Sequence, residues 1–402
     1  MRRVVITGAG TINALALDVA GTFAAMREGR SGIGPLELPD LDRLSVRIGG
    51  QVRGFDPSAH FDPQKRSLYD PFAQYALVAA REAMAMAGLD AVPEQSDRWG
   101  CIMGTAGGGN GTVNEAFRAV YAEGRNRVHP FTVPRLMNNA ACSHIAMEWG
   151  LRGPSFSVAS ACASSNHAIG LAFQMVRSGM MDGVLAGGSE AMLNFGGLKA
   201  WEGLRVMSPD ACRPFSKNRN GMVQGEGAGV FVIETLEGAL ARGATPLAEI
   251  RGFSMTSDAG DIGMPSVDGA ARAIRGALDD AGLSPDEIGY INAHGTGTAA
   301  NDRTEALAIR QVFGARAGDV PVSSTKAMHG HLIGATGAVE LLACLLALTE
   351  GVIAPTINHQ EDDPDCALDV VPNTARAAQV GAALSNAFAF GGLNAVLALS
   401  KL

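Results

Sequence analysis

Residues 155–179 read SFSVASACASSNHAIGLAFQMVRSG, and the pattern of this stretch changes abruptly in its middle. A short apolar, β-branched run comes first, and small residues follow at 159–161. A helical spacing of apolar residues then runs through positions 168, 169, 172, 173 and 176. Gly179 stands just past the last apolar position, where helices often end. The stretch predicts a strand, a sharp turn that carries Cys162, and a helix.

The position of Cys162 near the start of the predicted helix favours a nucleophilic thiolate. A helix N-terminus offers unpaired N–H groups and a positive dipole end, and both lower the pKa of a thiol. The sharp turn is similar to the one on which hydrolases expose a nucleophile above a sheet. A free cysteine also often acts as a small buried hydrophobe. The local sequence leaves both interpretations open.

Composition and charge narrow the class of protein. With 402 residues, 47% of them hydrophobic, the chain can bury a large core, and its many glycines and alanines favour helices packed closely on sheets. A net charge of −8 argues against nucleic acid as a general partner. The six cysteines show no C-x-x-C spacing, which favours reduced thiols in a cytoplasmic protein.

Two apolar segments could be mistaken for membrane or export signals. The N-terminal MRRVVITGAG loses its apolar character at Thr7-Gly8, so we interpret it as a first strand. The longest apolar run, 341–348, is too short to span a bilayer and has Glu340 and Glu350 at its edges. It predicts a buried helix and no membrane contact.

The sequence Gly8-Ala9-Gly10 predicts a turn between the first strand and a helix that begins at Leu15. A glycine pair here could begin a dinucleotide-binding loop. Asn13 stands where the third glycine of that motif belongs, and no strand with an acidic end follows at the right distance. We therefore reject a nucleotide site.

An internal repeat predicts two α/β halves. Ala-Gly-Leu ends a predicted helix at 87–89 and again at 281–283, and each copy is followed by a strand that ends in Gly-Thr, at 104–105 and 295–296. In each copy a later strand opens a helix rich in Gly and Ala. We place the two halves at residues 1–245 and 246–402.

The second half supplies possible partners for Cys162. His294 follows the predicted strand 288–293 and begins the loop 294–298, HGTGT, and Lys326, His329 and His331 follow the strand 322–325. Sites form at the carboxyl ends of strands in open α/β sheets, so Cys162, His294, Lys326 and His331 can converge on one pocket. His329 and His331 could form a metal pair, but no third ligand lies at suitable spacing, so we predict no metal.

Seven segments now identify the chain as similar to a known family. They are RRVVITGAG, GPSFSVASACASS, AGGSEAM, CRPFSKNRNGMVQGEGAGVFVIE, YINAHGTGTAAND, SSTKAMHGHLIGATGAVE and SNAFAFGGLNA. Together they resemble the β-ketoacyl-acyl-carrier-protein synthases of the thiolase superfamily, in the KAS II-like branch with a Cys-His-His site. LKAWEGLRVMSPDACRPFS, SNHAIG and NAFAFGG are most similar to nodulation-protein-E-type synthases, which make unusual acyl chains.

The resemblance implies a fold of two duplicated βαβαβαβαβ halves in α-β-α-β-α layers, with a homodimer formed beside the nucleophile strand. It also implies acyl transfer to Cys162, followed by decarboxylative Claisen condensation with malonyl-carrier protein. Two neutral imidazoles, His294 and His331, would stabilise the enolate. The backbone N–H groups of Cys162 and Phe390 would hold the thioester oxyanion. Lys326 would hold His331 and Glu340 in place.

Further roles follow from the same resemblance. Thr296 and Thr298 would bind the phosphopantetheine arm, which arrives on the acyl carrier protein, so no cofactor of the enzyme's own is needed. Exposed basic side chains would dock that carrier, and the candidates are Lys65, Arg66 and Arg205. Acyl selectivity is assigned to a gate loop and to Trp201, which could instead be simple core; the loop residues are Phe388, Ala389, Phe390, Gly391 and Gly392.

Three positions depart from the family pattern: His329, Ala389 and Leu393. The last two lie in or beside the gate loop, so they leave the acyl selectivity open. Two alternatives stay beside the synthase interpretation. A thiolase or starter-type enzyme would need a second catalytic Cys, or an Asn in place of His331. A non-catalytic chain-length partner of a ketosynthase heterodimer would lack the nucleophile that Cys162 supplies.

Overall fold

The structure is a computed structural model that describes residues 1–89 and 96–402. Its strands are β1 Val4–Asn13, β2 Gly34–Pro35, β3 Ile48–Gly49, β4 Trp99–Gly104, β5 Ser155–Val158, β6 Gly183–Glu190, β7 Gly227–Thr235, β8 Ala248–Ser257, β9 Tyr290–Asn292, β10 Val322–Ser323, β11 Val352–Ile353, β12 Arg376–Ala377, β13 Ala382–Ala389 and β14 Leu393–Ser400.

The α-helices are α1 Val19–Glu28, α2 Pro63–Ser67, α3 Pro71–Met86, α4 Asn110–Phe117, α5 Thr132–Leu136, α6 Ala140–Trp149, α7 Ser164–Arg177, α8 Phe195–Gly203, α9 Leu236–Ala241, α10 Val267–Ala281, α11 Ala299–Phe313, α12 Lys326–His329 and α13 Thr336–Glu350. Single 3-10 turns, Ala161–Ala163 and Ile333–Ala335, lead directly into α7 and α13.

Ten strands form one sheet in the order β10-β9-β13-β14-β8-β1-β7-β6-β4-β5. Read outward from the central pair β1 and β8, the two sides repeat the same pattern. An antiparallel strand comes first, then a second antiparallel one, then two parallel ones. The duplication predicted from the sequence is therefore confirmed in the topology. The boundary at residues 245 and 246 stays a prediction, and it falls between α9 and β8.

Helices complete five layers. The sheet has two halves, β1-β7-β6-β4-β5 and β8-β14-β13-β9-β10, and α7 and α13 contact each other between these half-sheets. Helices α3 and α6 cover the outer face of the first half, and α10 and α11 cover that of the second. Three buried apolar clusters fill the interfaces between these layers. The α-β-α-β-α arrangement places the first turns of α7 and α13 beside each other at the centre of the molecule, because both helices belong to the middle layer.

The apolar segment Ile333–Glu350 is long and apolar enough to cross a membrane by length and composition, but it is mostly buried inside this fold. Every residue of 341–348 is buried, which confirms the prediction of a buried helix. Continuous apolar character suits α13 because it lies between two half-sheets and has no solvent-facing side there.

The predicted turn at Gly8-Ala9-Gly10 is wrong. β1 continues through these residues to Asn13, and the first helix begins only at Val19. The glycines serve packing, because a Cβ on Gly8 would lie 2.0 Å from the carbonyl oxygen of Ala83. One on Gly10 would lie 1.9 Å from that of Ala79. Helix α3 can approach the strand closely only where side chains are missing.

Candidate active site

Cys162 lies on a strained turn between β5 and α7. Ala161 has a φ of +48°, a left-handed conformation that few residues with a side chain adopt. Ser164 stabilises the turn, because its hydroxyl accepts the Ser160 N–H at 2.9 Å and donates to the Ala161 carbonyl at 2.7 Å. The local pattern predicted this strand–turn–helix, and the structure confirms it. The turn aims the buried Cys162 into a cavity of about 110 Å³.

The expected lowering of the Cys162 pKa is wrong. Burial raises the pKa of the thiol to about 12, although the charge of Lys326 and the backbone N–H groups of Phe390 and Cys162 lower it. The sequence revealed the helix terminus but not the depth of the site. Desolvation disfavours the charged thiolate. Cys162 is therefore a thiol at neutral pH and needs a base before it can attack.

His331 is placed to be that base. Its Nε2 lies 3.1 Å from the Cys162 sulfur, and its Nδ1 lies 2.8 Å from the Thr336 hydroxyl. The pKa of His331 is lowered well below the usual histidine range, by burial first and by the charge of Lys326 second. The imidazole is therefore neutral and can accept a proton from sulfur, although its lowered pKa makes it a weak base. Thr336, which fixes the ring, was not singled out in the sequence.

His294 faces His331 across the same cavity. The two rings lie 5.4 Å apart between centroids and almost perpendicular. Burial lowers the pKa of His294 well below its usual range, and Lys326 and His331 add to that effect, so His294 is also neutral. This agrees with the expected pair of neutral imidazoles.

Glu305 positions the loop that carries His294. The backbone N–H groups of His294 and Gly295 donate to its two carboxylate oxygens at 2.8 and 2.7 Å, and the Asn386 amide donates to it at 3.1 Å. The sequence analysis missed Glu305. Its only local signal is an acidic residue on a helix about two turns beyond GTGT, and such a residue is usually a solvated surface charge.

Lys326 was expected to hold both Glu340 and His331. It donates to Glu340 at 2.5 Å, and both side chains are fully buried. The ring nitrogens of His331 instead contact Thr336 and Cys162, so direct support of His331 by Lys326 is wrong. Lys326 acts on the site through its charge, which disfavours the protonated form of both cavity histidines.

Donor atoms of Cys162, His294 and His331 all lie within 4.8 Å of one another, so a single ion could reach all three. His329 is not part of that group. Its ring lies 2.7 Å from the Gly330 carbonyl oxygen and 2.9 Å from the Thr325 hydroxyl. The H-x-H pair therefore does not act as one unit, and the absence of a metal stays a prediction.

The other predicted binding residues divide between the cavity and the surface. Thr296, Thr298, Phe388, Phe390 and Trp201 line the cavity. The two threonine hydroxyls lie 2.8 Å apart, and Trp201 stacks on Phe390 with centroids 6.2 Å apart. Trp201 also packs on the central core, so it both lines the cavity and contacts the core.

The gate loop is anchored on one side. Gly391, with a φ of +82°, donates its N–H to the Ile262 carbonyl at 2.8 Å, and Phe390 stays 39% exposed. Ile262 belongs to the exposed segment 258–266, which supplies residues to the cavity wall. Phe388 and Ala389 instead end β13 and pack in the core, so the expected loop is reduced to residues 390–392, which are tied to a surface segment.

The three basic candidates are exposed and lie outside the cavity. Lys65 and Arg66 stand in the last turn of α2, and Arg205 follows α8 next to Val206, which lines the cavity. Their docking role stays a prediction.

Comparisons with known proteins agree with this geometry. Family models match the chain over residues 1–239 (Beta-ketoacyl synthase, N-terminal domain) and 247–360 (Beta-ketoacyl synthase, C-terminal domain). Nodulation protein E of Rhizobium sp. (strain N33) is 48% identical and covers 100% of this chain and 99% of its own. The 3-oxoacyl-[acyl-carrier-protein] synthase 2 of Staphylococcus aureus (strain COL) is 40% identical and covers 100% and 98%.

Among solved structures, the ishigamide ketosynthase/chain length factor superposes with a TM-score of 0.94 at 38% identity, and the match covers 100% of this chain and 99% of the other. Because these matches extend over the full length at 38% to 48% identity, they show membership of the same family and not only a shared fold. With its duplicated α/β halves and its cysteine between two neutral histidines, the chain belongs to the β-ketoacyl synthase family of condensing acyltransferases.

Proposed function

We propose that this enzyme elongates an acyl chain held on Cys162 by decarboxylative condensation with malonyl-acyl carrier protein. The observation that carries the proposal is the placement of His331 Nε2 at 3.1 Å from the Cys162 sulfur, with the neutral His294 in the same cavity. A base beside the thiol and a second neutral donor provide for the two halves of the reaction.

In the first half, His331 accepts the Cys162 proton as sulfur attacks the thioester carbonyl of the acyl carrier. The carbon–sulfur bond to the carrier breaks, and the proton passes to the leaving pantetheine thiolate. The backbone N–H groups of Cys162 and Phe390 both act on the Cys162 sulfur, so they are placed to stabilise the oxyanion of the tetrahedral intermediate.

In the second half, malonyl thioester loses carbon dioxide and leaves an enolate. His294 and His331 donate hydrogen bonds to the enolate oxygen, and its carbon then attacks the acyl group on Cys162. The carbon–sulfur bond to Cys162 breaks, the β-ketoacyl group stays on the carrier, and the Cys162 thiolate takes up a proton from solvent. The Thr336 hydroxyl can either donate to or accept from His331 Nδ1, so one imidazole can accept from sulfur in the first half and donate in the second.

The carrier delivers its substrate through a phosphopantetheine arm, for which Thr296 and Thr298 supply hydroxyls at the cavity wall. No cofactor of the enzyme's own is needed, because the arm is part of the substrate. Lys65, Arg66 and Arg205 are the cations proposed to meet an acidic carrier. The enzyme is proposed to work in the cytoplasm.

A second copy of this chain is the proposed dimer partner. β5 lies at the edge of the sheet, where its outer backbone groups are open to pairing. Exposed large apolar side chains lie in the segment 117–147, which precedes β5 in the chain: Phe117, Val120, Tyr121, Val128, Phe131, Val133, Met137 and Met147. A chain-length partner could cover the same face, and the mass of the isolated protein in solution separates the two.

Intact-protein mass spectrometry tests the chemistry in two stages. Incubation with acyl carrier protein that carries a short acyl group should add that acyl mass to Cys162. Addition of malonyl carrier protein should then remove the adduct and produce β-ketoacyl carrier protein. Carbon dioxide release without any acyl adduct would refute the proposed synthase and indicate a decarboxylase.

A further inference from the structure

A groove of about 600 Å³ lies next to the cavity at Cys162, and Trp201 lines both. α4 and α8 form much of its wall. Val113, Met192 and Phe195 give it an apolar surface, as an acyl chain requires. Polar side chains interrupt that surface: the amides Asn110, Asn114 and Asn194, and the charged Asp40, Arg43 and Arg118.

Their hydrogen bonds fix which atom of each amide is free. The Asn194 oxygen accepts the Gly197 N–H at 3.0 Å, and the Asn114 oxygen accepts the Gly196 N–H at 3.3 Å. A backbone N–H can donate only to the oxygen of an amide, so these two orientations are determined. The Asn194 nitrogen then donates to the Asn110 oxygen at 2.7 Å.

The asparagines therefore leave two neutral donors available to a ligand, whereas Arg43 and Arg118 both pair with Asp40. Among the described residues, the side-chain nitrogens of Asn110 and Asn114 make no hydrogen bond with protein, and both side chains are partly buried. A saturated chain in the groove would take water from these N–H groups and give nothing in return, which weakens binding. A chain with a carbonyl or hydroxyl oxygen would satisfy them.

We propose that the groove beyond Trp201 selects acyl chains that carry an oxygen acceptor, with Asn110 and Asn114 as the donors that recognise it. The substrate class is an oxo- or hydroxyacyl thioester rather than a fully saturated one. This inference rests on the proposed function, because the acyl chain must first be held on Cys162. A second copy on the face with Phe117 and Tyr121 would close the groove into a tunnel.

The test compares decanoyl thioesters of pantetheine that are saturated or carry one ketone at successive mid-chain positions. The readout is the rate of adduct formation on Cys162, each rate divided by that of acetyl pantetheine. We expect the best ketone isomer to react about fivefold to 25-fold faster than the saturated chain, since each neutral hydrogen bond contributes about fivefold and a ketone oxygen can accept from one or both donors. Equal rates for all isomers and the saturated chain would overturn the proposal.

Variants locate the selectivity. Asn114→Asp keeps an acceptor for the Gly196 N–H and removes the donor, so it should lose most of the preference. Asn110→Leu with Asn114→Leu should favour the saturated chain. Asn218→Leu changes an exposed amide that pairs with Gln360, and it should keep the wild-type ratio. A preference that survives in both Asn114→Asp and the double leucine variant would also overturn the proposal.

The measurement with acetyl pantetheine distinguishes failure of the proposed function from failure of the inference about the groove. If acetyl pantetheine forms no adduct with the wild-type enzyme, the proposed function fails. If acetyl and decanoyl groups load but the ketone isomers gain nothing, only the inference about the groove fails. Because the wild-type ratio is decisive alone, a variant that does not fold leaves the test intact.

Discussion

The turn at Ala161–Ala163 and the turn at Ile333–Ala335 are the same backbone device used twice. Each is a single 3-10 turn, each begins with a residue at φ +48°, and each leads into a helix of the middle layer. Both helices begin with a hydroxyl residue, Ser164 in α7 and Thr336 in α13. The duplication therefore extends to backbone dihedral angles.

The side chains in the middle of the two turns differ, and so do the contacts of the two hydroxyls. Cys162 stands in the middle of the first turn, and its N–H acts on its own sulfur beside the cavity. Gly334 stands in the middle of the second, and its N–H donates to the buried Glu190 at 3.0 Å. Ser164 stabilises its own turn, whereas the Thr336 hydroxyl lies against His331. The first turn presents a nucleophile to the cavity. The second turn is closely packed, and Thr336 just after it contacts the base, His331.

The largest expected effect comes from removing the nucleophile of the first turn, which leaves that turn as unreactive as the second. Cys162→Ala should lower acylation and condensation by at least about 10⁴-fold, because the nucleophile is removed. Intact mass after incubation with acyl carrier protein is the measurement. Cys142→Ser, which keeps a polar atom beside Ser157 and Asn139, is the matched control and should still acquire the adduct. An adduct of undiminished yield in Cys162→Ala would place the nucleophile elsewhere.

Substitution of the two histidines should affect different steps of the reaction. His294→Ala should lower condensation by about 10²–10³-fold, because an enolate donor is lost, while acylation of Cys162 continues. His331→Ala should slow both steps, since this residue is also the base for the thiol. Rapid-quench acylation and steady-state condensation, measured on each variant, check this. Equal loss of acylation in both variants would show that the second turn does not hold the base.

Adding a side chain to the second turn should destabilise the fold. A Cβ on Gly334 would lie 2.4 Å from the Ala106 nitrogen and 2.7 Å from Glu190. Gly334→Ala should therefore lower the free energy of unfolding by about 1–3 kcal/mol. Urea unfolding is the measurement, with Gly203→Ala as control, because a Cβ on that helical glycine meets nothing within 4 Å. A destabilisation no larger than the control's would show that the turn has room for a side chain.

The pH dependence of alkylation tests the state of the first turn. Burial raises the pKa of Cys162 to about 12, so the thiolate fraction should grow about tenfold per pH unit up to pH of about 10. An unperturbed thiol levels off near a pKa of about 8.5. Iodoacetamide labelling followed by peptide mass spectrometry gives the profile, with glutathione as reference. If the labelling rate of Cys162 levelled off at a lower pH than that of glutathione, the helix terminus rather than burial would set the thiol pKa.

The smallest expected effect concerns the hydroxyl of the second turn. Thr336→Val keeps the shape of the side chain and removes its contact with His331 Nδ1, which should slow condensation about fivefold, as expected for about 1 kcal/mol. Thr336→Ser should restore the rate. A stability change without a rate change would make Thr336 a packing residue only.

Local sequence was sufficient for the features that depend on local geometry. The strand, turn and helix around Cys162 follow from residue size and apolar spacing within one stretch, and the repeat follows from two similar orders of elements. The two histidines of the cavity were also found, since His294 and His331 both follow predicted strands. At Gly8 and Gly10 the same reasoning failed, because the reason for those glycines is a helix more than sixty residues away.

The sequence alone determined that Cys162, His294 and His331 meet in this enzyme, because each stands near the end of a strand or the start of a helix and such positions are set by neighbours along the chain. Only the tertiary structure decided what each residue does there. Glu305 and Thr336 became supports for the histidines, and Cys162 became a protonated thiol. Burial and hydrogen bonding arise when distant segments pack together, and the free energy of a charge depends on that surrounding rather than on adjacent residues.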